Sequence, residues 1–388
     1  MNEEHRVVFL TEREDAKKEP IPGVRIKNFS LHRQVSNDTH HYLQTTEEAV
    51  IKGQGVLREL SNLVEEGFNP KIVITHAGMG LGLFIKDFLP ETILISYFEW
   101  YFTPHTTKDL VREFNLDTQL KTGLRNIPIL QELESCDQGV VPTEWQKSQF
   151  PKAYQHKLEI IFDGIDTTFF HPHPEPRKLQ RENQVIRNRD SGEIHILPMN
   201  CPIISYATRG MEPIRGFPEF MRSLPKLLEN IPELRVIIAG ADRRAYSYDS
   251  PSHQGSWKDY LLDEMGDFKG RQRINFTGLL NYEDYRKLLW RTNLHCYFTR
   301  AYVTSWSLFE AASCGASLAV NRCPATAHII ENNSATWIDL EGPEGLTKAL
   351  NQALQKETPK ASKIFKGFEL STSLKQWEYL INQALQSS

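Results

Sequence analysis

Two arginines, a run of hydroxyl side chains and one glutamate in the C-terminal half have types and spacing that suit chemistry. Arg209 and Arg215 stand in Thr208-Arg-Gly-Met-Glu-Pro-Ile-Arg-Gly216, directly after an apolar run. Further on, Thr304, Ser305, Trp306 and Ser307 lead into a helical pattern whose first acid is Glu310. The free N–H groups and positive dipole of a helix start suit an anion such as a diphosphate, and guanidinium forks grip the same oxygens. A carboxylate one turn into the helix can only accept hydrogen bonds, which suits sugar hydroxyls. A structural reading stands beside this one: Ser307-x-x-Glu310 also spells a capping box, in which the acid merely closes the helix start.

Regular elements must position these residues. Leu294–Phe298 reads as a strand, Gly315 as a helix C′ glycine and Ser317–Asn321 as a second strand, giving a strand–loop–helix–strand unit. Ile203–Ala207, Arg235–Ala239 and Ile274–Thr277 are further strands, and Asn281 begins a helix. Phe217–Glu229 is a helix that Pro225 is expected to kink. Earlier in the chain, Arg6–Leu10, Val24–Phe29, Lys71–Thr75, Thr92–Tyr97, Gly139–Val141 and Lys157–Phe162 read as strands. A capping box at Thr45-x-x-Glu48 opens a long helix that Gly67 closes, and Pro142-Thr143 starts a shorter one. Gly345–Gln355 and Leu374–Leu385 are closing helices.

Strands alternating with helices predict an α/β chain with mainly parallel, doubly wound sheets. Ligands bind such sheets at the carboxyl ends of the strands. His76-Ala-Gly-Met-Gly80, Glu99 and Asp163-Gly164 all fall at such ends. Gly78 and Gly80 are expected to let backbone approach a ligand closely, with an ordinary strand-to-helix turn as the other reading. Trp100, among Phe98, Tyr101 and Phe102, suits either stacking on an acceptor sugar or core packing. The charged, proline-rich stretch from His171 to about Gly192 reads as a linker. The expected division is 1–175 for a first Rossmann-like domain, 176–193 for the linker, 194–365 for a second, and 366–388 for a terminal helix returning to the first.

Composition narrows the function classes. The hydrophobic share of 40% and charged share of 24% are those of a soluble globular protein. A net charge of −4 argues against a dedicated nucleic-acid-binding module. Five scattered cysteines without a CxxC pair predict reduced thiols and a cytoplasmic protein. No run approaches the roughly 18 apolar residues of a membrane span, and the acidic start does not read as a signal peptide, so any membrane contact is expected to be peripheral. His40, His41 and His105 lack partners at ligand spacing, so no metal site is expected.

The chain resembles the GT-B glycosyltransferases of the family 4 type over nearly its whole length. The stretches that carry the resemblance are Asp163-Gly-Ile-Asp166, Thr208–Phe217, Val236-Ile-Ile-Ala-Gly240, Phe276-Thr-Gly278 and Ser305–Gly315. The resemblance implies two Rossmann-like domains facing a cleft, and sugar transfer from a UDP- or GDP-linked nucleotide sugar to an acceptor hydroxyl. It also implies retention of anomeric configuration with no metal and no other cofactor. Glu310 then falls on the acid that binds the ribose, Arg209 and Arg215 on the basic pair that holds the diphosphate, and Thr304–Ser307 on the loop offering amides to phosphate and sugar. Gly240 and Gly278 fall on the donor side, while His76 and Glu99 would orient or deprotonate the acceptor hydroxyl. The acceptor itself stays open: a glycan, a lipid carrier, a protein or a modified nucleic-acid base.

One position departs from the pattern. The family's first glutamate, eight residues before Glu310, is Tyr302 here. A degenerate nucleotide-sugar-binding protein is therefore one rival reading. A nucleotide-sugar epimerase is another, although the missing carboxylate argues against it.

Overall fold

The structure, a computed structural model, describes residues 5–18, 20–175, 182–330, 334–340, 342–355 and 367–386. The chain folds into two compact units. The first comprises 1–107, 114–162 and 376–388, and the second 108–113 and 163–375.

In the first unit β3 (Ile72–His76), β4 (Ile93–Tyr97), β5 (Gln138–Val141) and β6 (Leu158–Ile160) form a parallel sheet in that order; β1 (Val7–Thr11) and β2 (Val24–Asn28) pair separately, also parallel. The apolar runs are those of strands covered on both faces: Leu94, Ile95, Val140 and Val141 are fully buried. The helix Leu370–Gln386 belongs to this unit from Gln376 onward, and its Ile381 packs with Ile95, Val140 and Ile161.

Two local expectations fail here. The long helix is Gln44–Glu65, with Leu43 at its N-cap and no side-chain cap, so Thr45 lies inside the helix and the predicted box does not form. Glu48 pairs instead with Lys52, one turn on, at 2.7 Å. The predicted linker is also partly regular. Residues 176–181 lie outside the described residues, but β7 (Gln184–Arg187) pairs antiparallel with β8 (Ile194–Leu197). Ile186 and Leu197 are buried on its inner face, which is enough to hold a short hairpin that its charged composition disguises.

In the second unit β9 (Ile203–Gly210), β10 (Arg235–Ala241), β11 (Ile274–Gly278), β12 (Leu294–Tyr297), β13 (Leu318–Asn321) and β14 (Thr336–Ile338) form one parallel sheet in the order β11-β10-β9-β12-β13-β14. Chain order reverses direction between β9 and β12, and a crevice for ligands opens at the carboxyl ends of such a pair. The helix Phe217–Asn230 covers one face. Phe217, Phe220, Met221, Leu224, Leu227 and Leu228 recur at helical spacing and are all fully buried, each worth roughly 1.5–3 kcal/mol. The helix runs on through Pro225 to Asn230. Asn281 caps its helix by accepting the Asp284 N–H at 2.8 Å, as its position predicts.

Candidate active site

The reversal between β9 and β12 brings together the two loops the sequence singles out. β9 carries Arg209 near its end and continues into the turn that carries Arg215, while β12 leads into Phe298–Ser305 and the helix Trp306–Ser313. Side chains brace both loops from beneath. The Tyr206 hydroxyl donates to Arg215 O at 2.8 Å, and the Tyr297 hydroxyl accepts the Ser305 N–H at 2.8 Å. Asn321, at the end of β13, clamps Thr299 twice: its Oδ1 accepts the Thr299 N–H at 2.9 Å and its Nδ2 donates to Thr299 O at 2.8 Å.

The two arginines differ in burial but meet at one ring. Arg215 is buried, its Nη1 donating to Thr299 Oγ1 and Val303 O, both at 2.9 Å. Arg209 is exposed and donates to the Tyr246 hydroxyl at 3.1 Å, while the Arg215 guanidinium lies 5.7 Å from the Tyr246 ring centre. Neither has an acidic partner among the described residues, so two positive charges converge without internal neutralisation. Tyr302, the departure from the pattern, is buried, and its ring centre lies 5.6 Å from that of Tyr246.

The helix start is capped by Ser305, whose Oγ accepts the Ser307 N–H at 3.4 Å. The alternative Ser307–Glu310 capping box is therefore absent, because the helix begins earlier and Glu310 sits in its second turn. Glu310 is buried, and among the described residues no donor satisfies its carboxyl. Burial alone pushes its pKa up to about 7. A buried, unbonded carboxyl is costly to a fold unless a ligand donates to it. Gly315 ends the helix as expected, with the Gly315 N–H on Ala312 O at 2.9 Å and the Ala316 N–H on Ala311 O at 3.1 Å.

The other predicted donor-side residues are held by the protein itself. Thr304 donates its hydroxyl to Ala325 O at 2.7 Å. Trp306 is half-exposed, its indole N–H fastened to Asp163 Oδ2 at 2.7 Å. Gly240 has φ +137° beside a register shift, and a Cβ there would lie 2.1 Å from Thr208 O. The close approach it permits is thus between strands. A Cβ on Gly278 would meet the Asn188 side chain, and one on Gly164 would meet Leu370.

In the first unit, His76 closes β3 and Glu99 follows β4, with Nε2 and Oε2 3.9 Å apart and both side chains partly exposed. For the neighbouring residues the packing reading, left open by the sequence, is the one the contacts favour. The Gly78 N–H donates at 3.1 Å to the carboxyl of Glu132, which is fully buried. That glycine loop is therefore wrapped on an internal acid. Trp100 is only 6% exposed and lies beside Trp145, which makes it core rather than a stacking platform.

Sequence comparison decides the family. Residues 3–170 match the family described as Glycosyl transferase family 4 group, and residues 195–367 match Glycosyl transferases group 1. The chain belongs to this glycosyltransferase family. No curated protein matches it in sequence. Its fold is similar to that of sucrose-phosphate synthase from Thermosynechococcus elongatus, at 14% identity over 99% of this chain and 90% of that one, with a TM-score of 0.66. It is also similar to the UDP-forming α,α-trehalose-phosphate synthase from Burkholderia xenovorans solved with glucose-6-phosphate. There the identity is 12% over 88% of this chain and 80% of that one, with a TM-score of 0.59. The pneumococcal O-GlcNAc transferase GtfA, solved with UDP and GlcNAc, gives 13% identity over 86% and 60%, and a TM-score of 0.59.

The glycosyltransferase thus has the GT-B fold that its motifs predict. Sequence reading missed Tyr246, Glu212, Tyr297 and Asn321, which hold the site in shape. Glu212 had one signal: it lies between the two arginines of a loop already singled out. Nothing marked Tyr246. The five cysteines are free, and no described helix is long and apolar enough to cross a membrane.

Proposed function

We propose that this glycosyltransferase moves a sugar from a nucleoside-diphosphate donor, UDP- or GDP-linked, to an acceptor hydroxyl, with retention of anomeric configuration and without a metal. One observation carries the proposal: two arginines without acidic partners converge beside a helix start whose second turn holds a buried, unbonded carboxyl. Arg209, Arg215 and the N–H groups at the start of the helix bind the diphosphate, and Glu310 accepts from the ribose hydroxyls. As the bond from the anomeric carbon to the diphosphate oxygen breaks, the leaving group gains negative charge. The guanidinium groups stabilise that charge, commonly the largest single contribution to catalysis of this kind. The acceptor oxygen bonds to the anomeric carbon as that bond breaks, and its proton passes to the departing diphosphate oxygen.

His76 and Glu99, 3.9 Å apart, are the groups that would orient the acceptor hydroxyl. A glycan, a lipid carrier, a protein or a modified base would each present one. Two solved relatives support a nucleotide donor, one holding UDP and the other a UDP-forming synthase. Free cysteines without a CxxC pair support a cytoplasmic setting.

The test is release of nucleoside diphosphate from a panel of nucleotide sugars. Turnover of at least one UDP or GDP sugar is expected. Measurable binding without turnover of any donor would favour the degenerate binding protein to which Tyr302 points.

A further inference from the structure

Tyr246 lies in the stretch after β10, outside every motif, yet two side chains hold the backbone of that stretch. From the arginine loop, the fully buried Glu212 carboxyl accepts the N–H groups of Ala245 at 3.1 Å, Tyr246 at 2.9 Å and Ser247 at 2.8 Å, and the Ser247 hydroxyl at 3.2 Å. Such bonds to an ionised acceptor are about twice as strong as neutral ones. Further along the same stretch, Arg112 donates to Asp249 O at 2.6 Å and Ser250 O at 2.9 Å. Glu212 stands between Arg209 and Arg215 in sequence, so the arginine loop itself holds the Tyr246 backbone.

The hydroxyl chemistry follows from this placement. Tyr246 accepts from Arg209 Nη1 at 3.1 Å, and its ring centre lies 5.7 Å from the Arg215 guanidinium and 5.6 Å from the Tyr302 ring centre. A phenol that accepts through its oxygen keeps its own O–H to donate. Among the described residues nothing accepts it. A bond received from a cation polarises the phenol and strengthens it as a donor. The ligand chemistry that takes this O–H together with both guanidinium groups is a cluster of anionic oxygens.

We propose that Tyr246 is a third diphosphate ligand of the donor site, its O–H donating to a phosphoryl oxygen beside Arg209. The assignment rests on the proposed function, because it takes the two arginines as the diphosphate clamp. The proton stays on Tyr246 throughout. The hydroxyl strengthens its bond as charge accumulates on the departing diphosphate, so Tyr246 acts in binding and again in the transition state.

The test compares the full-length wild type, Tyr246→Phe, Arg209→Met and the double variant by titration calorimetry. UDP, GDP and the corresponding nucleosides are the ligands, with thermal unfolding alongside. Tyr246→Phe keeps the ring and its packing on Tyr302. It is expected to weaken the diphosphate that binds wild type by about tenfold, the loss of one bond to a charged group, with nucleoside affinity unchanged. The double variant should lose less than the sum of the two single losses, because both groups hold the same oxygens. Equal diphosphate affinity in wild type and Tyr246→Phe overturns the assignment of Tyr246 alone, as does strict additivity. Failure of both diphosphates to bind the wild type removes the arginine clamp and this inference with it.

Discussion

The Glu132 carboxyl accepts the backbone N–H of Gly78 at 3.1 Å, so the glycine loop after β3 closes on an acid from its own chain. A carboxyl seated on loop amides occupies the place an incoming anion would otherwise take. Burial pushes Glu132 up to about 7, against the opposing pull of the amides of Gly78, Gly80 and Gly82. The loop is thus a packed structural element, and its stability can be tested directly. Gly80 has φ +86°, and a Cβ there would lie 2.0 Å from Ala49 O, in backbone that cannot step aside cheaply. Gly80→Ala is expected to lower unfolding stability by about 2–4 kcal/mol, combining a forbidden backbone conformation with overpacking. An unchanged midpoint in urea would show that the loop does not pack against the helix Gln44–Glu65.

Arg209 and Arg215 should separate stability from catalysis. Removing the buried Arg215 side chain leaves Thr299 Oγ1 and Val303 O without their donor. Arg215→Ala is therefore expected to cost about 1–3 kcal/mol of stability. Arg209 is exposed and touches only Tyr246 among the bonds above, so Arg209→Ala should leave stability within about 0.5 kcal/mol. Both variants should lose roughly 10²-fold in diphosphate release from the active donor. Full turnover in either one would remove that arginine from the leaving-group site.

How much of this was legible in the sequence depended on the range of the interaction. Leu294–Tyr297 stood out because a parallel strand covered on both faces is an unbroken apolar run. Asn281 and Gly315 stood out because caps are local chemistry. Thr45 misled because the apolar phase of Ala49, Ile51 and Val56 sets where that helix packs, and a cap motif cannot override it. The β7–β8 hairpin hid behind charge, since only one face of each strand is buried. At the site, Arg209, Arg215 and Glu310 were visible as types within one loop or helix. Tyr246 and Glu132 were not, because their partners lie far away in sequence and only the tertiary fold makes the pairs.

His295 gives the acid limb of stability. It is fully buried on β12, with Nδ1 2.8 Å from Ser205 Oγ and no partner for Nε2 among the described residues. Burial pushes it down from 6.5 to about 4. Between those values the unfolded chain holds a proton on this histidine that the folded chain does not. Stability from this group is therefore present above about pH 6.5 and is lost as pH falls towards 4, by up to about 3 kcal/mol. His295→Leu cannot titrate, so the stability difference between wild type and variant should move by that amount in favour of the variant between pH 7 and pH 4. A constant difference across urea melts at several pH values would mean that the imidazole reaches water.

Glu310 runs in the opposite sense and ties stability to binding. Burial raises its carboxyl from 4.5 to about 7, so between those values the folded chain binds a proton that the unfolded chain has released. Its contribution therefore falls as pH rises through that window and stays low above it, at a cost of up to about 3 kcal/mol at pH 8. Glu310→Gln abolishes the titration and is expected to be more stable than wild type at pH 8 by part of that amount. Binding moves the other way. Ribose hydroxyls donate best to the ionised form, so kcat/KM for the donor in wild type should climb with pH through about 7. In Glu310→Gln it should be low and flat across the same range. The acid would thus be kept at the expense of the fold because the ligand, once bound, supplies the donors that the protein lacks. A variant with unchanged stability and the wild-type pH profile would return Glu310 to the role of an ordinary helix residue.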